Sequence, residues 1–304
     1  MDRRRQIIGY LLAAAGAALF STKAIFIKLA FREEVNASLM LAWRMIFSAP
    51  FFIAVGVWLV VGMKRSGKPL PAARTLWLAA FTGFLGYGAS AYFDFKGLEY
   101  ISAQLERLVL FTYPLFVMLI GAAAFGQRIT RYGIVACFIT YLGLAVVFGI
   151  DLPAGGWATV IGTLLVLGCA ITFAVNQLMA KGLIGAMGPG LFTAVSMMAG
   201  GLGAVLLHAV IDGDFGASPY FLWLSFGCAI FATVVPIFCV NGGLARISAQ
   251  AVAMISTLSP LITISLAVSI LGEPFTWADA LGSALVLAGV GYYSWADSRQ
   301  ARPV

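Results

Sequence analysis

The side chains of this sequence that could do chemistry are charged residues set inside long apolar runs. Four of them stand out, namely Lys23, Arg44, Glu106 and Arg107. A charge inside such a run is costly unless it faces a protein interior or water, so these residues are candidates for binding an ionic solute. Lys23 could bind a solute carboxylate, because a buried ammonium without a partner loses its proton or destabilises the fold. The alternatives for Lys23 are a pair with Glu106 or an extended side chain that reaches the outer surface.

The two arginines and the nearby Asp94 allow more than one interpretation. Arg44 and Arg107 could hold an anionic group, but an ion pair with Glu106 or a role at the end of a helix is favoured. Asp94 could meet an ammonium group, although its place at the end of an apolar run favours a solvated helix terminus. Glu106 and Asp94 are also the carboxylates near enough to a cavity to carry a proton.

Uncharged polar and aromatic residues form a second candidate group. Tyr87 and Tyr113 fall well inside apolar runs, where a phenol needs a partner or water. Tyr87 also shares a predicted helical face with Asp94, seven residues further on. The group could line a cavity that stacks on rings and binds polar groups, or it could serve as hydrogen bonds between helices. Its members are Ser21, Thr22, Tyr87, Tyr113, Asn176, Gln177 and Asn241.

Three prolines inside apolar runs are candidate hinges. Pro114 and Pro260 occupy matched positions in two runs, and Pro236 interrupts a third. Each removes a helix hydrogen bond and can kink its helix, either for movement or for packing alone.

The elements that must position these residues are membrane-spanning helices. The chain has 304 residues, of which 62% are hydrophobic and only 10% are charged, and its mean hydropathy is +0.98. So few charges cannot cover a soluble globule, which excludes cytosolic enzymes, secreted binding proteins and nucleic-acid partners. The expected environment is the lipid bilayer, and the fold class is all-α. Ten spans are predicted, at roughly 7–31, 38–62, 76–95, 102–125, 132–150, 158–180, 188–211, 219–242, 249–271 and 277–296.

The distribution of basic residues predicts the orientation of these spans. With a cytoplasmic N-terminus, thirteen of the 19 lysines and arginines lie on the cytoplasmic side, whereas Arg32 and Lys96 lie outside. We therefore expect a multi-pass membrane protein with both termini in the cytoplasm. The basic start could also begin a signal peptide, but the first apolar run continues well past a signal core, which favours an uncleaved span.

An internal repeat divides the chain in two. Residues 97–104 resemble residues 243–250, and the same offset of 146 gives eleven identities in fifty positions. The predicted units are residues 1–152 and 153–304, each with five spans. Because five is odd, the second unit must be inverted relative to the first. Inverted repeats typically hold a solute site near the midplane and work by alternating access.

The residues that repeat carry a resemblance to a known family. The stretch from Gly97 to Thr130, its second copy with Gly272-Glu273-Pro274, and Lys23 in the first span resemble the drug/metabolite transporter superfamily, in its EamA-type ten-helix branch. The likeness covers essentially the whole chain. Within that branch the chain is most similar to exporters of aromatic amino acids of the YddG type. This resemblance implies outward movement of amino acids and other small organic solutes from a bacterial cytoplasm.

Other functions fit the sequence less well. His208 is the only histidine, and the sequence contains no zinc-binding pair, nucleophile motif or phosphate-binding loop, so an enzyme is a remote alternative and neither a cofactor nor a metal is expected. A proton-coupled exporter of drugs or other metabolites is the main alternative. The expected partners are a small-molecule substrate and the bilayer, and two five-helix halves could form one complete pathway in a monomer.

Overall fold

A computed structural model describes residues 3–126, 131–244, 246–247, 252, 255–256 and 258–300, and no strand occurs among them. The helices are α1 (Arg3–Ser21), α2 (Lys23–Ala30), α3 (Ala37–Arg65), α4 (Ala73–Gly83), α5 (Ser90–Leu98), α6 (Ala103–Leu110), α7 (Tyr113–Phe125), α8 (Arg131–Met187), α9 (Pro189–Ile211), α10 (Pro219–Ala229), α11 (Val235–Leu244), α12 (Ser259–Leu266) and α13 (Trp277–Gln300). Three π-helical turns connect or extend them, at Phe84–Ala89, Ile230–Val234 and Ala267–Leu271.

Seven helical stretches in the described part of the chain are long and apolar enough to cross a membrane. They are Gln6–Glu33, Ala37–Arg65, Ala103–Ala124, Arg131–Gly149, Gly155–Ala180, Pro189–Ile211 and Pro219–Gly243, and two shorter apolar helices cover Ser259–Leu271 and Trp277–Tyr292. The predicted span at 76–95 is also helical, through α4, a π-helical turn and α5. Most of 249–258 lies outside the described residues. Large apolar side chains such as Trp58 and Trp77 are exposed on the helices, as a lipid environment requires.

Several apolar runs are interrupted in their middle. Thr22 separates α1 from α2, and its hydroxyl donates to the Leu19 carbonyl at 2.7 Å. Phe111 and Thr112 separate α6 from α7 in the same way, with the Thr112 hydroxyl bonded to the Val109 carbonyl at 2.7 Å. Such local hydrogen bonds satisfy carbonyls that the interrupted helix leaves free.

The candidate hinge prolines lie directly after interruptions. Pro114 and Pro260 are each the second residue of a helix, in α7 and α12. Proline is tolerated there because its missing N–H would have no partner. Pro236 lies inside a continuous helical stretch, directly after the π-helical turn Ile230–Val234. Whether the chain bends at these prolines during function stays a prediction.

Glycines bring helices into close contact within two groups. In one group α1, which leads into α2, lies along α11 and α12, and in the other α5 and α6 lie along the later part of α8. A Cβ added at Gly243 would meet the Gly9 carbonyl oxygen at 3.3 Å, and one at Gly97 would meet the Gly162 carbonyl oxygen at 3.1 Å. Only small residues permit such close helix contact. Gly156 (φ 54°, ψ −134°) changes the direction of α8 between its two parts.

Candidate functional site

An ion cluster joins the two helix groups. The Lys23 ammonium, at the start of α2, donates to Asp94 Oδ2 on α5 at 2.5 Å. The same nitrogen lies 3.4 Å from Glu106 Oε1 on α6. The side chain of Lys23 is 14% exposed, that of Asp94 4% and that of Glu106 0%. The first helix group therefore contributes the cation and the second contributes both anions.

The N-terminus of α6 is held by the adjacent Ser102 and by Glu273, which is distant in sequence. The Ser102 hydroxyl accepts a hydrogen bond from the Leu105 N–H at 3.1 Å, as an N-cap residue does. The Glu273 carboxylate accepts from the Ala103 N–H at 2.8 Å and the Gln104 N–H at 3.3 Å. A carboxylate at this end of a helix also interacts favourably with the helix dipole. Glu273 follows α12, so this contact also joins the two helix groups.

Lys23 alone does not compensate the two carboxylates of the ion cluster. Its one ammonium faces both Asp94 and Glu106, and these two side chains also lie within hydrogen-bonding reach of each other. Two buried carboxylates this close repel strongly where the dielectric constant is low, so a proton shared between them stabilises the pair. Arg44 near Asp94 and Arg107 near Glu106 supply further positive charge.

The structure places Asp94 differently from the expectation of a solvated helix terminus. Asp94 is 3% exposed, because α5 continues to Leu98 and the Asp94 side chain turns towards Lys23. Of the alternatives considered for Lys23, the structure shows the pair with Glu106, and Asp94 is a second partner of the same ammonium.

The two arginines lie on either side of the ion cluster. The Arg44 guanidinium lies 4.7 Å from the centre of the Phe95 ring, and Arg44 is 7% exposed. Arg107 Nη2 donates to the hydroxyl of Ser259, the first residue of α12. The favoured ion pair with Glu106 is not formed by either arginine in the described part of the chain, where each has an Nε atom without a partner.

Ser259, which accepts from Arg107, also contacts Ser21 on α1. The hydroxyls of Ser21 and Ser259 are 2.7 Å apart, and Ser21 also donates to the Ser259 carbonyl at 3.0 Å. Thr263 donates to the Ser21 carbonyl at 3.2 Å. Ser21 thus lies beside Arg107, whereas Thr22 bonds within its own helix break.

The remaining candidates are dispersed. Tyr113 packs edge-on against Phe173 with ring centres 5.1 Å apart, and Tyr87 is half-buried within its π-helical turn. The Asn176 amide donates to the Thr82 carbonyl at 2.7 Å, which is the alternative of a hydrogen bond between helices. Gln177 is exposed, and Asn241 is partly exposed on α11. The structure brings together the charged candidates, Ser21 and Tyr113, which lies near Arg107, and it leaves Tyr87, Asn176, Gln177 and Asn241 apart.

Sequence reasoning missed Ser259 and the helix contact of Glu273 as parts of this region. Glu273 belongs to the Gly-Glu-Pro motif that carries part of the family resemblance, so a signal for it existed. Nothing in the sequence around Ser259 distinguishes it from a packing serine.

Apolar cavities between α3 and α9 do not suit a charged solute. One of about 190 Å³ is lined by residues such as Met45 and Met197, and a second of about 440 Å³ by residues such as Val57 and Leu191. The polar side chain in their linings, Ser48, already donates to the Arg44 carbonyl at 2.7 Å. The ion cluster therefore remains the candidate site.

Comparison with known proteins places the chain among transporters. The EamA-like transporter family matches it twice, over residues 7–149 and 160–295. An uncharacterized transporter of Bacillus subtilis, YcbK, is 30% identical over 95% of this chain and 94% of its own length. An uncharacterized transporter of Archaeoglobus fulgidus is 25% identical over 76% of this chain and 80% of its own length.

A solved structure extends the likeness to the fold. A protein of known crystal structure is 17% identical, and its superposition covers 99% of this chain and 100% of that chain with a TM-score of 0.64. At this identity the likeness concerns the fold alone.

Proposed function

Because the chain belongs to the EamA-like transporter family, we propose that it exports small organic solutes, with aromatic and other neutral amino acids as the main substrates. Solutes cross a bacterial inner membrane by alternating access, through a cavity between the two halves of the chain. The membership supports a multi-pass membrane transporter and points away from an enzyme. The direction of transport and the substrate class are the proposal.

The observation that carries the mechanism is the ion cluster between the helix groups. Lys23 on α2 is held by Asp94 and Glu106, on α5 and α6. If the α1 and α12 group moves away from the α5 and α6 group, these ion pairs must separate together with the Glu273 contact to α6. Separation of buried ions is costly unless other charges replace the lost partner. A zwitterionic solute carries a positive and a negative group, so it can replace the partner that a buried ion loses.

The proposed architecture consists of ten spans in two inverted five-helix units, residues 1–152 and 153–304. Its support is that the family matches the chain twice and that interruptions recur at the offset of 146. The π-helical turns start at Phe84 and Ile230, and the helix breaks fall at Thr112 and Leu258. We further propose that both termini are cytoplasmic and that a monomer contains the whole pathway.

A proton-coupled exporter is the second candidate, favoured by one observation. Asp94 and Glu106 are both buried, share the Lys23 ammonium and lie within hydrogen-bonding reach of each other, an arrangement in which two carboxyl groups can share a proton. A proton taken up by either would compensate the cluster when Lys23 moves away.

Counterflow in proteoliposomes tests both candidates. Vesicles are preloaded with phenylalanine, tryptophan, threonine, a sugar phosphate or a lipophilic cation, with and without a pH gradient. Faster uptake of labelled amino acids by preloaded vesicles without a gradient supports a facilitative exporter. Movement of only the cation, and only with a proton gradient, contradicts the amino-acid proposal and makes Glu106 the first residue to vary.

A further inference from the structure

We propose that Arg107 binds the carboxylate group of the transported solute, at the contact between α6 and α12. This proposal rests on the proposed function, because it assigns how an amino acid would be held. It differs from the sequence-based expectation that Lys23 binds the carboxylate.

Lys23 is a poor carboxylate site in this structure because its ammonium is already engaged. Asp94 and Glu106 lie at 2.5 and 3.4 Å from it, and both are almost fully buried. A solute carboxylate placed there would be repelled by two fixed carboxylates. The solute therefore needs a different cation for its anionic end.

The balance of charges in the cluster leaves Arg107 as that cation. Lys23, Arg44 and Arg107 surround only two carboxylates, and in the described part of the chain no carboxylate lies within 4.0 Å of the Arg107 guanidinium. The sequence contains no Asp or Glu between Asp214 and Glu273, so α12 and the segment before it cannot supply one. A cation in a low-dielectric interior needs a counter-charge, which a substrate can bring.

The surroundings of Arg107 suit a carboxylate better than those of Arg44, although both residues carry the same guanidinium group. A guanidinium offers five N–H donors in a fork that matches both oxygens of a carboxylate. Arg107 contacts the Ser259 hydroxyl, and its buried Nε has no partner among the described residues. Arg44 packs its guanidinium over the Phe95 ring, at 4.7 Å.

The surroundings of Arg107 can hold the rest of an aromatic amino acid. Ser259 is the first residue of α12, so the positive end of that helix dipole also favours an anion. The neighbouring Glu106 supplies a carboxylate that can accept from the ammonium group of the solute. Tyr113, at the start of α7, forms an edge-on pair with Phe173 that offers aromatic surface for a ring.

The test compares substrates that differ in one charged group. Counterflow of phenylalanine and of phenylalaninamide, which lacks the carboxylate, is measured for the wild type and for Arg107→Gln and Arg107→Lys. We expect Arg107→Gln to raise the KM for phenylalanine roughly 10- to 100-fold, because a charged hydrogen-bonded pair is lost. The KM for phenylalaninamide should change by less than about twofold. Arg107→Lys keeps the charge without the fork and should fall between.

Arg44→Gln is the matched control, since it also removes a buried arginine from the cluster. It should alter the KM for both substrates by a similar factor, whereas Arg107→Gln should separate them. Equal losses for both substrates in Arg107→Gln, or no loss, would overturn the proposal.

A binding measurement separates this proposal from the proposed function. Thermal stabilisation of the purified protein by 3-phenylpropionate, which has the carboxylate but no amine, should be seen for the wild type and lost in Arg107→Gln. If no amino acid is transported but this difference holds, the proposed substrate is wrong while the carboxylate site stands. If 3-phenylpropionate stabilises neither protein, the carboxylate site is wrong.

Discussion

The two halves of the chain share their helix interruptions but not their charges. The π-helical turns at Phe84–Ala89 and Ile230–Val234 start at matched positions, as do Pro114 and Pro260. At the offset of 146, however, the positions of Asp94, Glu106 and Arg107 are occupied by Val240, Val252 and Ala253. The first span aligns with the sixth at an offset of 153, which matches Gly9 with Gly162 and places Asn176 at the position of Lys23. The common features set how helices break and pack, and the differences determine where ions can bind.

The second-half counterparts show what the same positions do without charge. Val240 packs on Gly16, where a Cβ would meet its Cγ2 at 2.8 Å. Val252 is buried with Ala13 and Ile247 in an apolar cluster. The contact between α1 and α11 is therefore apolar at Val240, whereas the equivalent position in the contact between α5 and α8 is Asp94. This difference predicts that changes to the charges affect transport and stability strongly, whereas changes to shared glycines affect both halves alike.

The largest effect is expected from Lys23→Met, which removes the only ammonium of the ion cluster. Two buried carboxylates would be left without their cation, and the loss of one partner of a buried ion pair costs about 3–5 kcal/mol. We expect a large drop in thermal stability together with loss of counterflow. The measurement is the unfolding temperature in detergent alongside transport by equal amounts of incorporated protein.

A charge-neutral variant provides the control for Lys23→Met. Adding Glu106→Gln to Lys23→Met removes one positive and one negative charge, so the net charge of the region is unchanged, and should recover much of the stability without recovering transport. A double variant no more stable than Lys23→Met would contradict the account of the cluster as an electrostatic contact.

The sequence predicted the positions of most helices because long apolar runs have few other solutions. It also identified the charged residues correctly as unusual, since any charge in such a run stands out. It could not predict that Asp94 is buried on Lys23, because the two residues are 71 positions apart and α5 continues past Asp94. The π-helical turn that contains Tyr87 also removes the regular spacing on which its shared face with Asp94 depended.

Contacts made through backbone groups were the hardest to predict. The bonds from the N–H groups of Ala103 and Gln104 to Glu273 depend on how the end of α12 lies over α6, which no local pattern encodes. The same holds for Ser259 and Arg107, which meet only because α12 begins beside α6. Polar residue types were readable from the sequence, whereas their pairing required the packing of the helices.

A smaller effect, equal in the two halves, is expected at the shared glycines. Gly9→Val, in the first half, would place its Cβ 2.7 Å from Ile247 Cγ2, and Gly162→Val, at the equivalent position of the second half, would place its Cβ 2.6 Å from Ile101 Cγ2. Overpacking of this kind costs about 1–3 kcal/mol. We expect similar drops in unfolding temperature for both variants. Gly185→Val is the control, because nothing lies within 4 Å of a Cβ at that glycine. A large drop in only one half would argue against equivalent packing.

The smallest effect is expected from Glu273→Gln, which tests a contact between the halves that involves no ion pair. The variant keeps the side-chain shape but removes the charge that accepts from the Ala103 and Gln104 N–H groups at the start of α6. Loss of a helix cap costs about 0.5–2 kcal/mol, so stability should fall slightly. Because this contact must break when the halves separate there, its weakening should favour the separated state, and counterflow should be retained or become faster. Glu34→Gln, at an exposed position beyond α2, is the control and should change neither quantity. If Glu273→Gln abolished transport as Lys23→Met is expected to do, Glu273 would belong with the charged residues of the first half and the contrast between the halves would fail.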